Sequence, residues 1–179
     1  MCGDPERPDV LNVEFKAELR DPEIARAALA SIGAKLTDEM RQIDTYYRIP
    51  AGRLKKRDVP GEPAEYLAYH RADRTQPKLS QYQSLDADQF LARYGERPLP
   101  VLVTVTKQRE LHMLGTIRVH LDDVEHLGTF LEFEAPVSPA QNVAKCHSII
   151  ADLRERLGPS LGEPISVSYC DLLLGERTE

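Results

Sequence analysis

The sequence predicts an α+β fold: an eight-stranded, largely antiparallel β-barrel or tunnel with a charged lumen, flanked by amphipathic helices. Three observations carry this expectation. One strand and one helix are followed by many consecutive strand-like segments, an order that fits an antiparallel meander and excludes a doubly wound parallel sheet. Most of these segments alternate with period two, which places their charged residues on one face and their apolar residues on the other. The helices that bracket them carry apolar stripes that need an apolar sheet surface to pack on.

The elements follow in chain order. After a Pro-rich leader, residues 1–9, the segment from Val10 to Leu19 alternates as a strand. Asp21-Pro22-Glu23 then opens a helix, with Asp as N-cap and Pro in the first turn, and Gly33 closes it. Strands are expected at about 40–49, 53–59, 65–72, 78–84, 100–111, 115–122 and 129–135, separated by turn signals such as Pro50-Ala51-Gly52, Pro60-Gly61 and Gly128. A short helix opened by Asp86 and ended by Gly95 interrupts them. A longer helix starts at Ser138-Pro139 and runs to about Leu157, with Val143, Cys146, Ile149, Ile150 and Leu153 as its stripe and Gly158-Pro159 as its stop. Residues 10–179 thus form one domain. No tract of low complexity and no internal repeat is present.

Sorting charges by strand parity gives the lumen. The first strand sets Asn12, Glu14 and Lys16 against Val13, Phe15 and Ala17. Arg53, Lys55 and Arg57 share a face, as do Tyr69 and Arg71, and Lys107 and Arg109 continue the parity of Val101, Val103 and Val105. Arg118, His120 and Asp122 oppose Ile117, Val119 and Leu121, while Glu132 and Glu134 oppose Leu131 and Phe133. Alternation of this kind also arises on the solvated side of a half-buried sheet. Against that, the basic residues are mainly Arg and cluster by strand, and the opposite parity supplies the apolar surface the helices require. With the helices outside, the ionic faces of a curved sheet look at one another.

Composition narrows the function. The 179 residues include 23 Lys and Arg against 29 Asp and Glu, a formal net charge of −6. An acidic chain is poorly suited to binding nucleic acid by counterion release, so Lys55-Lys56-Arg57 does not read as a nucleic-acid patch. No apolar run reaches membrane-spanning length, and MCGDPERPDV lacks the layout of a signal peptide, so a cytoplasmic protein is expected. Cys2, Cys146 and Cys170 are scattered, without a CxxC, and read as ordinary thiols. His112, His126 and His147 are spaced unlike a metal set, whereas His120 shares the ionic parity. Tyr46, Tyr47 and Tyr169 read as packing or wall residues.

Arg and Lys converging from several strands recognise phosphate oxygens. Carboxylates in the same lumen would repel that anion unless they bind a hard divalent cation, Mg²⁺ or Mn²⁺. A metal-bridged triphosphate satisfies both signs.

The ordered set NVEFK, QIDTYYRIP, LKKR, YLAYHRAD, VTKQRELHMLGTIRVHLDDVEHLGTFLEFEA and SYCDLLL resembles the CYTH superfamily, and within it the branch known as class IV adenylate cyclase-like, related to thiamine and inorganic triphosphatases. The resemblance spans roughly residues 10–174. It implies an eight-stranded triphosphate tunnel with divalent-metal chemistry, and makes a homodimer reasonable. It assigns catalytic roles to Glu14, Lys16 and Glu134, and triphosphate binding to Arg53, Lys55, Arg57, Arg71, Lys107, Arg109 and Arg118. Metal ligation falls to Glu14, Asp122, Glu132 and Glu134. The family's opening ExExK triplet reads Asn12, Glu14, Lys16 here, so a neutral amide stands where the first Glu is usual. Adenylate cyclase-like conversion of ATP to cyclic AMP and pyrophosphate is the leading expectation. Hydrolysis of a triphosphate is the alternative, and capture of a polyphosphate without turnover, which Asn12 favours, is a third.

Overall fold

Nine strands and four helices are present among the described residues, 10–71 and 75–176, of the computed structural model. The expected leader and Cys2 lie outside the described residues. In chain order they are β1 (Val10–Leu19), α1 (Pro22–Ser31), β2 (Lys35–Tyr47), β3 (Arg53–Asp58), β4 (Glu65–Arg71), β5 (Lys78–Leu85), α2 (Ala87–Tyr94), β6 (Val101–Leu114), β7 (Ile117–Val124), β8 (Gly128–Pro136), α3 (Val143–Arg156), β9 (Leu161–Pro164) and α4 (Tyr169–Glu176). The sheet order is β5-β4-β3-β2-β6-β7-β8-β1-β9. A further pairing of β1 with β5 closes the first eight strands into an antiparallel barrel, as expected, and leaves β9 as a short addition on β1.

The helix signals act as the sequence indicates. The Asp21 side chain accepts from the Glu23 and Ile24 amides, and Gly33 leaves α1 with φ 84°, a left-handed conformation that glycine adopts without strain. Asp86 and Gln89 form a reciprocal capping box at the start of α2.

Parity is resolved as the packing argument requires. The outward residues of β1, β7 and β8, among them Val13, Phe15, Val119, Leu121, Leu131 and Phe133, are buried against Ala25 and Leu29 of α1 and Cys146, Ile150 and Leu153 of α3. At about 1.5–3 kcal/mol for each fully buried large apolar side chain, this layer holds the helices on the barrel wall. The inward face is then left to the charged residues.

Several boundaries differ from expectation. β2 begins at Lys35, because the chain re-enters the sheet directly after Gly33 and pairs from Lys35 with Met113 of β6. β6 is correspondingly longer and ends at Leu114. α3 starts at Val143, not at Ser138-Pro139: Ser138 and Gln141 bridge to each other in a turn, and Asn142 caps the helix by accepting from the Lys145 amide. β9 and α4 were not expected as elements. α4 packs against β6 at one end of the barrel, where Tyr169 and Cys170 join Tyr46, Val103, Val105 and Phe130 in a second apolar cluster. No helix among the described residues is long and apolar enough to cross a membrane.

Candidate functional site

A cavity of about 350 Å³ occupies the barrel interior. Each strand that lines it presents alternate residues inward, so one β-period places a basic pair on each of two strands. Six cations reach the cavity: Lys16 from β1, Lys55 and Arg57 from β3, Lys107 and Arg109 from β6, and Arg118 from β7. Glu14, Glu132, Glu134 and His120 line it from β1, β8 and β7, and Glu65 from β4. Tyr46, Leu67, Tyr69 and Tyr82 add aromatic and aliphatic surface to the lining, with Tyr46 and Leu67 the direct sheet partners of Lys55.

Two buried carboxylates stand behind the cations. Asp44 of β2 accepts from Lys55 Nζ at 2.8 Å and Arg57 Nε at 2.9 Å. Asp122 of β7 accepts from Arg109 Nε and Nη2, both at 2.6 Å, from Lys107 Nζ at 3.3 Å and from the Tyr169 hydroxyl at 2.9 Å. Both aspartates are about 1% exposed, so each is paired on every side that matters. Burial opposes their ionisation, but the facing cations, Lys55 and Arg57 for Asp44, Arg109 and Lys107 for Asp122, hold both far below the usual carboxylate range. They fix the basic side chains in place while the cavity itself stays cationic. Asp122, expected as a metal ligand with Glu14, Glu132 and Glu134, does not line the cavity and stands behind it, sharing Arg109 Nη2 with Glu132.

Crowding of like charge acts on the lysines. Burial, with Arg109 next, pushes Lys107 down to about 7, and burial, with Arg57 next, pushes Lys55 down to about 8. Both amines are therefore partly neutral near physiological pH. Tyr169 lies under this group, with Lys16 Nζ 3.9 Å from its ring centroid.

At the other side of the charged half, Glu132 accepts from Arg109 Nη2 at 3.2 Å and meets Lys16 Nζ at 3.4 Å, while Glu134 accepts from Arg118 Nε at 2.8 Å. His120 faces Glu132 across the β7–β8 register. A ring nitrogen of His120 and one oxygen each of Glu132 and Glu134 lie within 4.8 Å of one another, a set able to hold a divalent ion. Burial keeps His120 below its ordinary value, with Arg109 acting in the same sense. Against the cost of burial, Lys16 and His120 hold Glu132 well below the usual range, and His120 lowers Glu134. An imidazole beside two carboxylates offers donor types that a divalent cation accepts.

The structure brings together most of the expected residues. Arg53 is the exception among the described basic side chains: it turns to α4, donating to Ser168 Oγ at 3.0 Å and pairing with Asp171, and does not line the cavity. Asn12 is fully buried beyond the lining residues, and its Oδ1 and Nδ2 have no hydrogen-bond partner. The Arg71 backbone pairs with Ser80 in the sheet; its side chain lies outside the described residues. Sequence reasoning passed over Asp44 and Glu65, although Asp44 shares the inward parity of Gln42 and Tyr46 and could have been found by extending the parity sort to β2. The role of Tyr169 had no comparable signal, because it depends on where α4 docks.

The model of the CYTH domain matches residues 11–169. No curated protein sequence matches the chain. Among solved structures, the PH1012 protein of Pyrococcus horikoshii OT3 superposes with a TM-score of 0.72 at 22% identity, covering 90% of this chain and 98% of its own. A candidate adenylate cyclase from Vibrio parahaemolyticus gives 0.71 at 15% identity, covering 92% of this chain and 98% of its own. The Hippeastrum protein HpAC1, named as a candidate adenylyl cyclase with a dominant triphosphatase activity, gives 0.60 at 10% identity, over 94% and 96%. At these identities the likeness is one of fold.

Proposed function

Because the chain belongs to the CYTH domain family, whose tunnel fold its barrel has, we propose that it is a divalent-metal-dependent enzyme that converts ATP to cyclic AMP and pyrophosphate. One observation carries the reading: six cations converge in a cavity that aromatic and aliphatic side chains also line. A triphosphate would occupy the charged half, with Arg57, Arg109 and Arg118 contacting pairs of oxygens and Lys16, Lys55 and Lys107 acting as point charges. The surface of Tyr46, Leu67, Tyr69 and Tyr82 suits a nucleoside, which an inorganic triphosphate would leave unused.

Glu14, Glu132 and Glu134 would hold the cation, and Asp122 acts as a positioning residue behind Lys107 and Arg109. When bound, the cation would offset charge on the phosphates and polarise the reacting phosphorus. Cyclisation forms a bond from the ribose 3′-oxygen to the α-phosphorus and breaks the α–β bridging bond, so that pyrophosphate leaves. The 3′-hydroxyl proton leaves with the pyrophosphate, while Lys107, whose charge the bound triphosphate restores, acts as a binding cation. The fixed cations would meet the charge that builds on the departing pyrophosphate without having to reorganise.

Hydrolysis is the second reading, favoured by the fold likeness to HpAC1. Incubation with ATP, thiamine triphosphate and tripolyphosphate, each with Mg²⁺ or Mn²⁺, separates the readings. Cyclic AMP with pyrophosphate is expected. Phosphate without cyclic AMP assigns hydrolysis, and tight binding without product removes both. Glu134→Ala should abolish metal-dependent turnover, and Lys107→Ala should mainly weaken triphosphate binding; unchanged kinetics in both would refute the site.

A further inference from the structure

We propose that His120 gives the cation of this cavity a nitrogen ligand alongside Glu132 and Glu134, so that the site prefers a transition ion such as Zn²⁺ or Co²⁺ to Mg²⁺. The inference rests on the cation requirement proposed above, but concerns which ion is held and by what.

His120 is 5% exposed, and its buried Nδ1 has no hydrogen-bond partner among the described residues. Buried polar atoms are rarely left so, and each such atom calls for a partner. The atoms that Nδ1 faces are carboxylate oxygens: Glu132 Oε2 at 3.7 Å and Glu134 Oε1 at 3.6 Å. These separations are too long for hydrogen bonds. They are close to what two ligands of one ion span, since donors each about 2.1 Å from a metal at an angle of about 110–120° stand roughly 3.4–3.6 Å apart.

The surroundings agree with a ligand set. Glu134 Oε1 faces the imidazole while Glu134 Oε2 is occupied by Arg118; Glu132 Oε2, which also faces the imidazole, accepts from Arg109 Nη2 at 3.2 Å, and Glu132 Oε1 meets Lys16 Nζ at 3.4 Å. Carboxylates held by a second layer of donors are the usual support of a metal site. His120 and Glu132 are direct partners in the β7–β8 ladder, so the barrel itself fixes their spacing. An imidazole in the set bears on the choice of ion. Mg²⁺ takes oxygen ligands and keeps its waters, whereas imidazole suits Zn²⁺ and its neighbours, which bind nitrogen more strongly.

The test uses the full chain freed of metal with EDTA and dialysed, then titrated with Zn²⁺ or with Mg²⁺ by calorimetry, beside the His120→Asn variant. Zn²⁺ should bind the wild type more tightly than Mg²⁺. His120→Asn should weaken Zn²⁺ by at least about tenfold, with Mg²⁺ changed less than about twofold. In the wild type, a ¹H–¹⁵N spectrum of the imidazoles should show the His120 Nδ1 resonance shifting on Zn²⁺ addition; this readout needs no variant to fold. Equal Zn²⁺ affinity in both proteins, an equal loss for Mg²⁺, or an unmoved His120 resonance would overturn the proposal. Tripolyphosphate binding measured in EDTA reports on the triphosphate reading separately, so either can fail alone.

Discussion

Filling the cavity with a polyanion should draw protons from solvent. Lys107 titrates at about 7 and Lys55 at about 8 because each is buried beside an arginine. At pH 8, amines with those values carry about 0.1 and about 0.5 of a proton, and at pH 6 both are essentially full. A bound tripolyphosphate supplies the opposite charge and raises both, so the two lysines should take up about 1.4 protons at pH 8 and about 0.1 at pH 6, less what the terminal phosphates release on binding. The sign follows from the free state having the lower pKa: the affinity is fully expressed below about pH 7 and falls as pH rises. The affinity should therefore fall between pH 8 and pH 9. Calorimetry of tripolyphosphate binding in EDTA, in two buffers of different ionisation enthalpy, reads the uptake directly. Lys107→Met should remove about 0.9 of a proton at pH 8. Uptake near zero at pH 8, or unaltered by that variant, would refute the account of the lysines.

Two further expectations concern stability. Asp122→Ala strips the counter-charge from Arg109 and Lys107 and should cost about 3–5 kcal/mol in urea unfolding, and a loss below about 1 kcal/mol would show that Asp122 does not neutralise them. At Gly162 of β9 an added Cβ would stand 2.8 Å from Glu18 Cβ, so Gly162→Ala should destabilise by about 1–3 kcal/mol; an unchanged unfolding midpoint would mean that β9 shifts freely on β1.

The barrel and its charged interior were legible because period-two alternation and helix stripes constrain each other. Once α1 and α3 take Val13, Phe15, Val119 and Phe133, the side chains between them in sequence have no surface left but the lumen. Caps written in single residues, such as Asp21 and Asp86, were equally readable. Parity assigns a face but not a partner, which is why Asp122 was grouped with Glu132 and Glu134 when it is spent on Arg109 and Lys107. The same limit hid Arg53, whose inward parity does not reveal that Asp171 of α4 captures it. β9, four residues without alternation, and α4, whose docking is a long-range contact with β6, leave no local periodicity to read.

β1 touches β8 along most of its length, β5 through its first half and β9 through its last residues. The earliest described strand to leave the ribosome therefore waits for three later ones. Its ladder with β8 brings Glu14 beside Glu134, a pairing so remote along the chain that its loop-closure entropy weighs on the folding rate, in the slow range typical of β-rich topologies. The ring cannot shut until that pairing forms, and shutting it is also what dries the lysines and carboxylates of the interior. The shifted acidities of the site are thus properties of the closed ring, and an opened barrel, with β1 detached, would have neither a cavity nor unusual lysines.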